Sequence, residues 1–301
     1  MWTVFEQIII LLLFVAIGYV LGKTGIVKHE HSKALSTLLV YVFLPCNVFK
    51  TFVVRFNVEY IFANWYSIAI SSVIVIVLAI ASHFIPRSVT KDKYERSVFE
   101  YSLVVPNSGY MGYALASSVF GAAGLMGIMT MALPLQIYIY TFGYAILTKQ
   151  GLNFKKLINP VLIATLLGMI LGLLKMPVPA FAGSILDSAS ACMAPISMIL
   201  TGLVISEFKI KDIAFNARIY PIILLRLVVI PVIIGFALKP FCDAWTVSIA
   251  VLLYALPCGM NTVVFPKLVG EDCRSGAGVA LVSTILSAIT VPLIFFIFGI
   301  G

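Results

Sequence analysis

The sequence predicts an all-α polytopic membrane protein with ten transmembrane helices, and three observations carry that prediction. Hydrophobic residues fill 61% of the 301 positions and charged residues only 11%, with a mean hydropathy of +1.10. A soluble domain is nearer half apolar and a quarter charged, so a soluble enzyme, a nucleic-acid binder and a disordered chain are excluded. Apolar runs long enough to cross a bilayer as helix, about 20 residues each, recur along the whole chain. Cationic residues fall in alternate connections between those runs. The net charge of +8 therefore reads as cationic loops on one membrane face.

The runs cover residues 4–22, 32–54, 60–86, 95–120, 124–148, 157–175, 180–206, 215–238, 243–269 and 273–299. The first has no basic segment ahead of it and no small-residue cleavage site behind it, so it reads as a retained span and not a signal peptide. The connections are too short for a soluble domain. Continuous apolar runs without period-2 alternation exclude a barrel.

Ten spans put both termini on one side, and the charges then separate. That side holds Lys50, Arg55, Lys175 and Lys239. The other holds fifteen: Lys23, Lys28, Lys33, Arg87, Lys91, Lys93, Arg96, Lys149, Lys155, Lys156, Lys209, Lys211, Arg218, Lys267 and Arg274. The cation-rich side belongs in the cytoplasm, which leaves both termini external.

Sliding the second half onto the first by 150 positions aligns Gly18 with Gly168, Gly22 with Gly172, Pro45 with Pro195 and Gly109 with Gly259. Pro106 meets Pro257 after a further shift of one. The halves 1–150 and 151–301 are accordingly expected to be two five-helix units. A five-span unit repeated in sequence enters the membrane from opposite sides, which makes an inverted repeat, a common secondary-transporter architecture.

Spans four and nine carry the unusual chemistry. Span four contains Pro106, Asn107, Ser108 and Gly109, and span nine contains Pro257, Cys258, Gly259, Asn261 and Thr262. Proline removes a backbone donor and clashes with the preceding turn, while glycine permits non-helical dihedrals. Broken backbone at membrane depth is tolerated only within protein or around a cavity. The two broken helices are expected to cross and form a site, with Asn107, Ser108, Asn261 and Thr262 as N-caps of the second half-helices. Paired helix N-termini suit an anion such as a carboxylate. The blander reading is a pair of packing kinks, but the pattern recurs at matching positions in both halves.

These motifs resemble the auxin efflux carrier (PIN-like) family. The resemblance rests on Leu103-Val-Val-Pro106-Asn107-Ser-Gly-Tyr-Met111-Gly112, on Ala255-Leu-Pro257-Cys-Gly259, on the closing run from Leu281 through Thr290 and Pro292, and on Phe43-Leu-Pro45. It implies ten spans with four and nine crossing, a scaffold of spans 1, 2, 6 and 7, a mobile domain of spans 3–5 and 8–10, and elevator-type transport. The link from Lys149 to Lys156 is short where plant auxin exporters carry a long hydrophilic loop. The compact form is similar to microbial members assigned to malate, malonate or related organic acids; an aromatic carboxylate of the auxin type is the alternative.

Four further residues have two readings each or a named partner. Arg226 lies inside span eight, where a lone arginine costs about 2.5–3.5 kcal/mol to insert. Glu100, one turn into span four from the same side, is its expected ion-pair partner, and direct contact with the anion and snorkelling to the interface are the alternatives. Asp187 in span seven is a candidate proton site if buried, or a hydrogen-bonded scaffold residue. Asn47, after Pro45 and Cys46, is expected on the scaffold side of the site or in a polar helix contact.

The five cysteines form no C-x-x-C and no disulfide framework, and no metal site or cofactor is expected. The chain has no G-x-x-x-x-G-K-[ST], H-E-x-x-H or G-x-S-x-G. Secondary transport of a small organic anion is the leading function, against an intramembrane enzyme or an anion channel. Few acidic residues are available for a sodium cage, which favours proton coupling or uniport. Membrane lipid, and a second copy of the chain meeting it through the scaffold helices, complete the expected partners.

Overall fold

A computed structural model describes residues 2–28, 30–149, 160–209, 216–268 and 274–300. Among these the chain is helical, and its single β-bridge joins Pro106 to Cys258. Six helices are long and apolar enough to cross a membrane: Ala34–Arg55, Val58–Val89, Tyr113–Met131, Ala180–Ser206, Ile219–Leu238 and Arg274–Phe298. Three shorter apolar helices, Ile9–Lys23, Pro160–Leu173 and Ala244–Ala255, accompany them. Residues 150–156 of the short central link, with Lys211, Cys273 and His29, lie outside the described residues.

In chain order, α1 is Trp2–Lys23. His31–Leu38 is α2, and it continues through a π turn, Leu39–Phe43, into α3, Leu44–Arg55. Val58–Val89 is α4 and Lys93–Val104 is α5. Ser108–Gly112 forms a second π turn ahead of α6, Tyr113–Met131. Within α6, Gly121 has φ 64° and ψ −158°, a left-handed conformation that glycine adopts without steric cost. The helix is kinked there, at the boundary predicted between spans four and five. Leu133–Tyr138 is α7, followed by the π turn Ile139–Gly143 and by α8, Tyr144–Thr148.

The second half continues the chain of helices. Pro160–Leu173 is α9 and Ala180–Ser206 is α10. Ile219–Leu224 (α11) passes through the π turn Leu225–Val229 into Ile230–Leu238 (α12). Ala244–Ala255 is α13, Asn261–Leu268 is α14 and Arg274–Phe298 is α15. Short polar side chains start three of the chain's helices by accepting an orphan amide. Asn57 takes Tyr60 N at 2.7 Å, Asp92 takes Glu95 N at 2.7 Å and Asp243 takes Thr246 N at 3.1 Å.

Two helix pairs, α1 with α10 and α3 with α9, pack closely through glycine. A Cβ on Gly18 would stand 2.1 Å from the carbonyl oxygen of Ile199, and one on Gly202 would stand 2.0 Å from that of Val15. On the other pair, a Cβ on Gly168 would meet the Phe49 oxygen at 2.9 Å and one on Gly172 the Phe56 oxygen at 2.5 Å. Gly18 against Ile199 becomes Gly168 against Phe49 when 150 is added to one number and subtracted from the other. Gly22 against Ser206 becomes Gly172 against Phe56 by the same operation.

Candidate substrate site

The residue before a proline is pushed out of the α region by the ring, and both breaks obey this. Val105 has φ −102°, ψ 110° and Leu256 has φ −63°, ψ 151°. Each ends its helix, so α5 and α13 both stop at the crossing. The extended segments then meet. Asn107 N donates to the Pro257 carbonyl at 2.8 Å and Gly259 N donates to the Val105 carbonyl at 3.2 Å. The crossing thus satisfies backbone groups that the prolines and the broken turns would otherwise strand.

Beyond the crossing, two helical segments begin again, at Ser108 and at Asn261. In the second, the amides of Thr262, Val263 and Val264 donate to the carbonyls of Gly259 and Met260 at 3.2, 2.9 and 3.1 Å, and each start carries the positive end of a helix dipole. They border a cavity of about 70 Å³ lined by Pro106, Asn107, Ser108, Gly109, Gly259 and Asn261. Val40, Leu44 and Val161 close it from the π turn after α2, from α3 and from α9, and among the described residues none that lines it is charged.

The side chains at the breaks divide. Asn107 is only 3% exposed, lines the cavity and makes no side-chain cap bond. Its main-chain oxygen does the capping instead, accepting from Met111 N at 3.2 Å and Gly112 N at 3.0 Å. Asn261 also lines the cavity, and its amide donates to the Tyr101 hydroxyl at 3.0 Å. Ser108 is buried beside them. A Cβ added at Gly109 would meet nothing within 4 Å, so that position opens on the space.

Thr262 is turned away. Its hydroxyl donates to the carbonyls of Gly259 at 2.9 Å and Gly276 at 3.3 Å, tying the break to α15. Cys258 is likewise no part of the lining: it is fully buried, and its amide donates to the Ser283 hydroxyl at 3.0 Å. We therefore expect small water-soluble thiol reagents to label Cys258 slowly, with no effect of added anion. Fast labelling in a variant retaining only this cysteine would show that the crossing opens.

The other expected roles divide: those of Arg226 with Glu100 and of Asp187 as a proton site are corrected by what the side chains touch, and Asn47 makes the polar helix contact that is one of its two readings. Arg226 does not pair with Glu100. Its Nε donates to the Leu256 carbonyl at 3.2 Å and its Nη1 to the Leu103 carbonyl at 3.1 Å, at the ends of the two broken helices. Glu100 lies instead 3.3 Å from His83 Nδ1. Asp187 is exposed and pairs with Lys50, so it is not a buried carboxyl. Asn47 is buried, but its amide points to the Met193 sulfur at 2.9 Å and it does not line the cavity. It joins α3 to α10.

Sequence reasoning missed Gln136 and Tyr113. Both line the cavity, with Gln136 Nε2 donating to the Tyr113 hydroxyl at 3.3 Å. Gln136 Oε1 is buried with no hydrogen-bond partner among the described residues. A signal was present, because Gln136 is the one amide side chain in the run 124–148, two residues after Pro134, and polar side chains at that depth mark function by default.

Comparison with known proteins agrees with this architecture. The family described as "Membrane transport protein" matches residues 3–156 and 149–295. An uncharacterized transporter of Methanocaldococcus jannaschii is 24% identical over 303 residues, covering 96% of each chain. A second uncharacterized transporter, from Methanothermobacter thermautotrophicus, is 24% identical over 298 residues at the same coverage. The uncharacterized transporter YfdV of Escherichia coli is 22% identical over 300 residues and 94% of each chain. With matches that run nearly end to end and with the proline-asparagine motifs at both breaks, the chain belongs to this membrane transport protein family, the PIN-like auxin efflux carriers.

Proposed function

We propose that this protein is a secondary transporter of a small organic anion, with Asn107, Asn261 and the two half-helix N-termini as its binding groups. The observation that carries the reading is the crossing. Two broken helices, bonded to each other between Val105 and Gly259, turn two positive ends and two amide side chains onto one uncharged cavity. A carboxylate satisfies both the dipoles and the amides. The small cavity favours a short carboxylate of the malate or malonate kind over an aromatic one.

The same reading takes the chain as ten spans in two inverted repeats, 1–150 and 151–301, in the cell membrane. The glycine contacts exchanged between halves by 150 positions support it. So do the bonds between remote elements, which join groups on one side of the charge count. Lys23 reaches the Phe208 carbonyl and Arg218 reaches Glu95 on the cation-rich side, whereas Lys50 meets Asp187 and Tyr66 meets Asp243 on the other. Transport is then an elevator motion of spans 3–5 and 8–10 against the scaffold of α1, α2, α3, α9 and α10. The cavity lies where the two would slide.

Two measurements test it. Liposomes holding the purified chain and preloaded with unlabelled malonate should accumulate labelled malonate saturably, and unloaded ones should not. Conversion of the label would indicate an enzyme, and linear flux without counterflow a channel. Independently, a reporter that fluoresces only in the cytoplasm should be bright in the 149–156 link and dark at the C-terminus. A bright C-terminal fusion would overturn the ten-span reading.

A further inference from the structure

Arg226 has no use in the site just described, yet its burial is complete. A guanidinium removed from water needs compensation, and no carboxylate among the described residues lies within ion-pair range of it. Glu95, the other buried charged residue, is taken by Arg218 at 3.1 Å, and Glu100 by His83. What Arg226 has are carbonyl dipoles and a ring. Its two bonds go to Leu103 and Leu256, and its guanidinium carbon lies 5.7 Å from the centre of the Tyr254 ring. Nη2 is buried and has no hydrogen-bond partner among the described residues. It sits in the π turn Leu225–Val229, and such turns often mark functional positions.

The consequence is electrostatic. Leu103 and Leu256 lie at the C-terminal, negative ends of α5 and α13, the ends nearest the crossing. One cation holds both. The negative ends are thereby quenched, while the resumed helices begin at the cavity with their positive ends. Carbonyl dipoles cannot cancel a full charge, and the cavity lining holds none of its own.

We propose that Arg226 is the fixed countercharge of the anion site, a positioning residue that acts across the crossing by its field and not by touching the anion. This rests on the anion-site reading above. It makes Arg226 responsible for selecting charge, and leaves Asn107 and Asn261 responsible for shape and hydrogen bonding.

The test reads the potential in the cavity and needs no substrate. Gly109→Cys places a thiol where a Cβ meets nothing within 4 Å, in a full-length chain whose own five cysteines are replaced by alanine. Its modification rates with an anionic and a cationic methanethiosulfonate of similar size are each divided by the rate with 2-mercaptoethanol. A unit charge acting over about 10 Å at an effective dielectric near 20 should bias that ratio more than tenfold toward the anionic reagent. Arg226→Lys should keep the bias and Arg226→Met should remove it. An equal bias with Arg, Lys and Met would overturn the inference while leaving the helix ends as a sufficient anion site. A cationic preference in the Arg226 protein would overturn both, and an absent preference there would overturn the role of Arg226 even if Arg226→Met did not fold.

Discussion

Alanine in place of Gly202 or Gly18 should leave the protein unable to form its α1–α10 pair, with a large fall in folded yield and in melting temperature in detergent. Overpacking a close contact costs about 1–3 kcal/mol where side chains can yield. Here the added methyl would stand 2.0 or 2.1 Å from a backbone carbonyl oxygen, and a helix backbone cannot give way locally. The expected loss is therefore above about 3 kcal/mol, beyond that range. Gly183→Ala on the same helix α10 is the control. A Cβ there meets nothing within 4 Å, and alanine is the better helix former by about 0.8–1 kcal/mol. A Gly202→Ala protein that melts with the parent would mean that the two helices are not packed at this distance.

Asn107→Ala and Asn261→Ala should each weaken binding of malonate tenfold to a hundredfold, as read by titration of the purified protein. A hydrogen bond to a charged group is worth about 1.5–3 kcal/mol, and about 1.4 kcal/mol is a factor of ten in affinity. The two variants should differ in stability. Asn107 makes no side-chain cap bond, so its removal costs the fold little. Asn261 holds the Tyr101 hydroxyl at 3.0 Å, and losing that bond costs about 1 kcal/mol in addition. Unchanged affinity in both variants would remove the amides from the site.

Much of this architecture could be read from composition and punctuation. Apolar runs broken by Pro, Gly and charged turns locate the helices, because backbone in a bilayer has few alternatives to helix. The breaks at Val105 and Leu256 follow from the prolines after them. These are local rules, and a local rule needs only neighbouring residues.

Direction within the site was a different matter. Pro, Asn, Cys and Thr at the breaks look equivalent in the sequence, yet Asn107 lines the cavity, Cys258 does not, and the Thr262 hydroxyl bonds to α15. Which side of each break becomes cavity depends on the helix packed opposite. Glu100 and Arg226 show the same limit. Opposite charges at similar depth suggested a pair, but the carbonyls freed by two breaks drew the guanidinium, and His83 from α4 drew the carboxylate.

Composition and proline placement alone identify a helical membrane protein with two proline-broken helices. Hydrophobicity, proline geometry and internal spacing are properties of the chain alone. Packing between helices set what the breaks hold: which amides face the cavity, that Gln136 joins them, and that Arg226 sits on the carbonyls of both broken helices. Those outcomes depend on contacts between residues more than 20, and in the case of Arg226 and Leu103 123, positions apart. Helices meeting across such distances choose partners by where their faces come together.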